Sequence, residues 1–176
     1  MGDYQELAQR GLIFSGSNQG PGGTTTSVGL TTTALGLILS NPAGNTKNLV
    51  LLQYSLAVVG APAALSTFGL QAGFNAAGVV THTTPLVPQC TLLSASAIGT
   101  AKVDAAATTV GTPFLFLALG VTPITGATAQ VVNPPVNGSI YEIRGSIVIP
   151  PGGWVAEYTS TVLSTIASMT WAEVAI

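Results

Sequence analysis

The residues able to carry chemistry are few. His82 is the only imidazole, set between Thr81 and Thr83, and Cys90 is the only thiol. A lone histidine makes no zinc site unless carboxylates or another subunit supply the remaining ligands. With no acid near it in sequence, it is not an oriented base. Cys90 also lacks a neighbouring base and sits among apolar and small residues, the setting of a buried, inert thiol. The acids are Asp3, Glu6, Asp104, Glu142, Glu157 and Glu173. Glu142, Glu157 and Glu173 fall on three successive predicted strands, and close carboxylates are where a glycosidase or a calcium site begins. Nothing in the sequence fixes their separation, and Arg144 lies two residues from Glu142 on the same face as an ion-pair partner. The expectation is therefore no catalytic residue, no cofactor and no metal ligand: a protein that is not an enzyme.

Two further groups invite a binding reading. Trp154 and Trp171, with Tyr141 and Tyr158, form either a sugar-stacking platform or parts of a core or subunit interface, and the strand spacing favours the second. The glycines between Ser15 and Gly23 precede a threonine run, but their spacing matches neither a dinucleotide fingerprint nor a phosphate loop. Asn137-Gly138-Ser139 has the form of a glycosylation acceptor.

The elements that must position these residues are strands. In the last quarter, Tyr141, Ile143, Ile147 and Ile149 share one face of an extended run, with Glu142, Arg144 and Ser146 opposite. Pro150-Pro151-Gly152-Gly153 ends it, a second strand runs from Trp154 to Ser160, and a third from Ser168 to Ile176. Earlier, Thr31 to Ser40 reads as a strand buried on both sides, with Leu35, Leu37 and Leu39 on one face. Val50, Leu52, Tyr54, Leu56 and Val58 make the longest single-face stripe, that of a central strand. Weaker strands are expected over Leu65 to Gln71, Val79 to Thr83 and Leu92 to Ile98. Thr84 to Gln89 reads as irregular and Gly99 to Thr109 as small and polar. Phe114 to Leu119 is apolar at every position, which predicts a strand buried on both faces. Gly120 to Gly138, with three prolines, is a long loop of the kind that makes contacts. Asp3 to Arg10 has a cap, a Glu6–Arg10 spacing and a Gly11 stop, which predicts a short helix.

These signals add up to an all-β chain, an antiparallel jelly-roll-like β-sandwich of about eight strands. It has two parts, an N-terminal arm over 1–23 (short helix plus flexible linker) and a β-sandwich domain over 24–176. Composition narrows the function. Of 176 residues only 6% are charged, four basic and six acidic, against about 25% in an ordinary soluble domain. Spread over the roughly 8,000 Å² such a monomer exposes, that is about one charge per 800 Å². Uncharged polar residues and burial by other subunits both help to explain so sparse a surface. Arg10, Lys47, Lys102 and Arg144 are scattered and the net charge is -2, which argues against direct nucleic-acid binding. Mean hydropathy is +0.57, yet the richest window, Leu49 to Ala64, is interrupted by polar residues and too short to span a bilayer. No membrane association is expected, and the acidic, polar start is no secretory signal.

Three stretches carry a resemblance. Asn41-Pro42-Ala43-Gly44 with Lys47 and a following apolar strand, the turn Ile149-Pro150-Pro151-Gly152, and the terminal Thr170-Trp171-Ala172-Glu173-Val174 resemble motifs of small jelly-roll structural proteins of tailed-bacteriophage virions. Asn45 and Thr46 depart from the Ser-Gly common before the lysine, and Ala172 from a common second acid. The resemblance implies a virion structural protein on the capsid surface: a cement or decoration protein, a homotrimer that binds the major capsid protein and stabilises the head. The alternative is a fibre or receptor-binding, glycan-binding module. The expected interface residues are Tyr4, Leu7, Arg10 and Phe14 on the arm, with Trp154 and Trp171.

Overall fold

The computed structural model describes residues 3–18, 23–59, 64–77, 80–93, 99–122 and 139–176. One helix, α1 (Asp3–Gln9), precedes β1 (Ile13–Ser17), β2 (Thr24–Thr25), β3 (Thr33–Ser40), β4 (Lys47–Val58), β5 (Ser66–Phe74) and β6 (Thr81–His82). These are followed by β7 (Pro85–Leu86), β8 (Gln89–Cys90), β9 (Lys102–Thr108), β10 (Phe114–Thr122), β11 (Ser139–Ile149), β12 (Gly153–Thr159) and β13 (Ser164–Ala175). One sheet runs β11-β4-β13-β1-β8, with β2 on β13; the other runs β10-β5-β12-β3-β9-β6, with β7 on β9. Every pairing is antiparallel. The chain crosses between sheets at β2–β3, β3–β4, β4–β5, β7–β8, β8–β9, β10–β11, β11–β12 and β12–β13. That crossing makes the antiparallel, jelly-roll-like sandwich the sequence implies.

The core lies between the sheets, around Leu37, Leu39, Leu51, Tyr54, Leu70 and Trp171, all fully buried. A smaller cluster, Ala34, Ile38, Ala107, Trp154 and Ala156, with Val80 packed against it, covers the outer face of the second sheet. β3 is buried on both sides, as its sequence requires, because Leu37 and Leu39 face one cluster while Ala34 and Ile38 face the other.

Four expectations change. The stripe on β4 shifts phase: Leu49, Leu51, Tyr54 and Leu56 are buried, while Val50 and Leu52 are only half-buried. Trp171 pairs with Leu51 and Thr170 with Gln53, leaving Leu52 as the extra residue of a bulge that reverses which side points inward. β10 is not buried on both faces. Among the described residues it pairs with β5 alone, and Phe114, Leu115 and Phe116 are exposed. Gly99 to Thr109 contains a full strand, β9, missed because Ala105, Ala106 and Ala107 give no periodic signal. The arm over 1–23 is shorter than expected, because Ile13 to Ser17 pair with Ser168 to Ala172 as part of the first sheet. The loop expected over Gly120 to Gly138 and the strand over Leu92 to Ile98 fall mostly outside the described residues, as do Asn137 and Gly138 of the acceptor triplet.

Helix α1 ends as its sequence predicts. Gly11 adopts φ 69°, its N–H donates to Ala8 O at 3.0 Å, and the Leu12 N–H donates to Leu7 O at 2.9 Å. That is a Schellman termination, which needs a residue tolerant of the left-handed region at Gly11. The Asp3 cap lies outside the described side chains. Among the described residues, no helix is long and apolar enough to cross a membrane.

Candidate interface

The three stretches that carried the resemblance meet at one corner. The Asn41 side-chain amide donates to Lys47 O and to Ile149 O, both at 2.9 Å. Its backbone pairs with the Pro-Gly turn: Asn41 N–H donates to Gly153 O at 2.9 Å, and Asn41 O accepts from Gly152 N–H at 2.8 Å. Gly152 adopts φ 85°, and a Cβ there would lie 2.4 Å from Asn75 O, so both backbone angle and space call for glycine. The Asn45 amide donates to Asn41 Oδ1 at 2.6 Å and to Thr100 Oγ1 at 2.8 Å, which carries the network to Glu173.

Glu173 is 1% exposed. Its Oε1 accepts from the Thr100 and Ala101 amides at 2.7 and 3.1 Å, and its Oε2 from the Thr100 hydroxyl and Lys47 Nζ at 2.8 and 3.1 Å. Burial pushes this carboxyl up, but the bonds from Ala101, Thr100 and Lys47 together outweigh it and hold the group below its usual range. Such an arrangement is a tie between strand ends with no open lone pair for a substrate.

The other carboxylates are held apart from it. Glu142 is exposed on β11, and Gln53 Nε2 donates to it at 2.8 Å, so Gln53 rather than Arg144 is its partner. Arg144 adopts φ 54° in the wide bulge between Glu142 and Ile147. Glu157 lies in the other sheet with its side chain among the core residues. Among the described residues, no group of three His, Cys, Asp or Glu side chains is placed to hold a metal ion.

His82 has a partner that its local sequence hides. Its Nδ1 contacts Asp104 Oδ2 across the β6–β9 edge, and Asp104 is completely buried with Oδ1 unpartnered. The imidazole is therefore oriented by an acid, contrary to the sequence expectation. No hydroxyl or thiol is hydrogen-bonded to His82 among the described residues, so the nucleophile of a triad is missing. The pair fastens the segment of β6 and β7 to β9. Cys90 is buried, and its thiol faces Gly11 O at 3.7 Å, as expected of an inert thiol.

The aromatic set does not form a platform. Trp171 is fully buried and stacks on Phe14 with ring centroids 6.2 Å apart, and Trp154 is buried over Gly73. Phe14, Trp154 and Trp171, expected at an interface, are instead internal: their large apolar areas fill the chain's own core. Tyr141 packs on Tyr54 and Phe68. On the arm, Tyr4 and Arg10 are exposed and Leu7 half-buried. Tyr4 Oη donates to Arg144 O at 2.7 Å, so the helix rests on the β11 bulge of its own chain. Arg10 lies 3.7 Å from Glu6, an exposed pair of small energetic weight.

Among the described residues, β10 and β11 form the edges of their sheets on one side of the sandwich. There Phe114, Leu115, Phe116, Val121, Ile140 and Val148 are each 41–67% exposed. Phe114 and Phe116 lie ring to ring, centroids 6.0 Å apart. β10 contains no charged residue and no proline, the two common means of blunting an edge strand. The burial of Asp104, Glu157 and Glu173 leaves at most seven of the ten charges for 8881 Å² of surface, one per about 1,300 Å². Comparison with family models, with curated proteins and with solved structures gives no match.

Proposed function

We propose that this chain is a non-enzymatic structural protein of a virion, a cement or decoration protein that assembles as a homotrimer and clamps the subunits of a phage head. The observation that carries the reading is the uncharged, apolar edge strand β10, beside the exposed Ile140 and Val148 of β11. Such an edge offers unpaired backbone groups and aromatic area together, and a sister molecule or a shell protein is the fitting cover. Glu173 and the His82–Asp104 pair fit the same reading, since each is engaged in tying strands together. The three motifs that resemble those of small virion proteins form a corner that closes the sandwich, which leaves contact-making to the edges and loops. The fibre or receptor module has less support, because both tryptophans are internal.

Sedimentation equilibrium of the purified chain tests this. The expected mass is three times 17.6 kDa, with co-sedimentation on capsids lacking the protein. A monomer at all concentrations that fails to bind such shells overturns the proposal.

A further inference from the structure

Glu157 occupies a position that the assembly reading does not use. On β12 it alternates with Trp154, Ala156 and Tyr158, which places its side chain with Val155 between the two sheets, 3% exposed. Oε2 accepts one bond, from the Leu37 N–H at 3.3 Å, and Oε1 has no partner. The neighbouring strand is bent to admit it. β3 slips register against β9 between Leu35 and Ile38, and Gly36 there adopts φ 115°. A Cβ at Gly36 would lie 2.8 Å from Glu157 Oε2.

No cation faces this carboxyl. Lys47 is engaged with Glu173, while Arg10, Lys102 and Arg144 are exposed. β3 and β5 flank it without any titratable side chain. β4 presents Tyr54, whose hydroxyl is buried without a partner, and behind it stands Tyr141 of β11. β13 presents the Thr165 hydroxyl, and the Tyr158 ring of β12 points to the other side of the sheet. An ionised carboxylate in this place would have only the Leu37 N–H and the Thr165 hydroxyl beside it and no counter-charge, a state strongly disfavoured in an apolar interior.

We propose that Glu157 is a proton-operated latch between the sheets: the neutral carboxyl closes the sandwich over the β3 bulge, and loss of its proton loosens it in mildly alkaline solution. This goes beyond the assembly reading and stands without it. Burial pushes the carboxyl from 4.5 to about 7, with the Thr165 hydroxyl and the Leu37 amide holding it from rising further. Because the folded value lies above the unfolded one, the stabilisation is complete below about 4.5 and is lost as pH rises through about 7. That gap corresponds to about a 300-fold fall in the folding equilibrium constant.

Urea unfolding of the full chain from about pH 4 to about pH 8.5, alongside Glu157→Gln, tests the latch. The wild type is expected to lose about 300-fold more in its folding equilibrium constant than the variant across that range; parallel profiles overturn the proposal. Infrared titration of the wild type gives a reading that does not depend on the variant folding. A protonated carboxyl band that persists to about pH 6 and vanishes through about 7 supports the latch, and carboxylate throughout refutes it.

Discussion

Lys47 Nζ lies 3.1 Å from Glu173 Oε2 across a sequence separation of 126 residues, joining the first residue of β4 to the last turn of chemistry on β13. The lysine is one of four donors on a carboxylate that is almost fully buried, and the other three come from Thr100 and Ala101. Glu173→Ala leaves those donors without their acceptor, so it should cost about 3 kcal/mol, within the range for breaking a buried ion pair. Thermal or urea unfolding measures it. Lys47→Met should cost less than half as much, because the backbone and hydroxyl donors stay in place.

The same carboxylate sets an acid limit. Its folded value lies below the unfolded one, so its stabilisation is present above the unfolded carboxylate range and is lost as pH falls through the folded value. Glu173→Gln should flatten that acid limb in a series of urea titrations while leaving the alkaline limb of the wild type unchanged.

Gly36 is fixed by two demands at once, a left-handed backbone and a carboxylate oxygen where a side chain would stand. Gly36→Ala should therefore destabilise by about 2 kcal/mol or more, read by the urea midpoint. Gly44 has open space about it, and Gly44→Ala serves as the control, with a change of less than about 0.5 kcal/mol.

His82→Ala removes the only side-chain partner that a fully buried Asp104 has among the described residues. The expected loss is about 2 kcal/mol, since a buried polar group left without its partner costs more than the pair contributed. The double variant His82→Ala with Asp104→Ala should recover part of that loss, measured as a coupling energy in a double-mutant cycle.

Much of the sandwich was legible because its strands carry long alternating or doubly apolar runs closed by Asn-Pro and Pro-Pro-Gly turns. β3, β11, β12 and β13 lie within a few residues of where those signals place them. The failures have specific causes. The bulge at Leu52 reverses the inward face of β4, and no local signal marks an extra residue whose partner is Trp171. β10 reads as doubly buried because Phe-Leu-Phe-Leu has the composition of a central strand; its place at the edge is decided by topology. The acid that orients His82 lies 22 residues away on an alanine-rich strand, so the pair is visible only after β6 and β9 meet. The strand spacing of Trp154 and Trp171 leaves core and subunit interface both open, and the packing over Gly73 and against Phe14 decides for the core.

Hydrogen exchange along β10 as a function of protein concentration tests the assembly edge most directly. The account predicts that backbone amides between Phe114 and Thr122 on the side away from β5 become protected as concentration rises through the assembly range, and that Phe116→Asp abolishes this protection while leaving the urea midpoint of the dilute chain unchanged. Exchange at those amides that is fast and the same at every concentration, in a chain that nevertheless assembles, would contradict it.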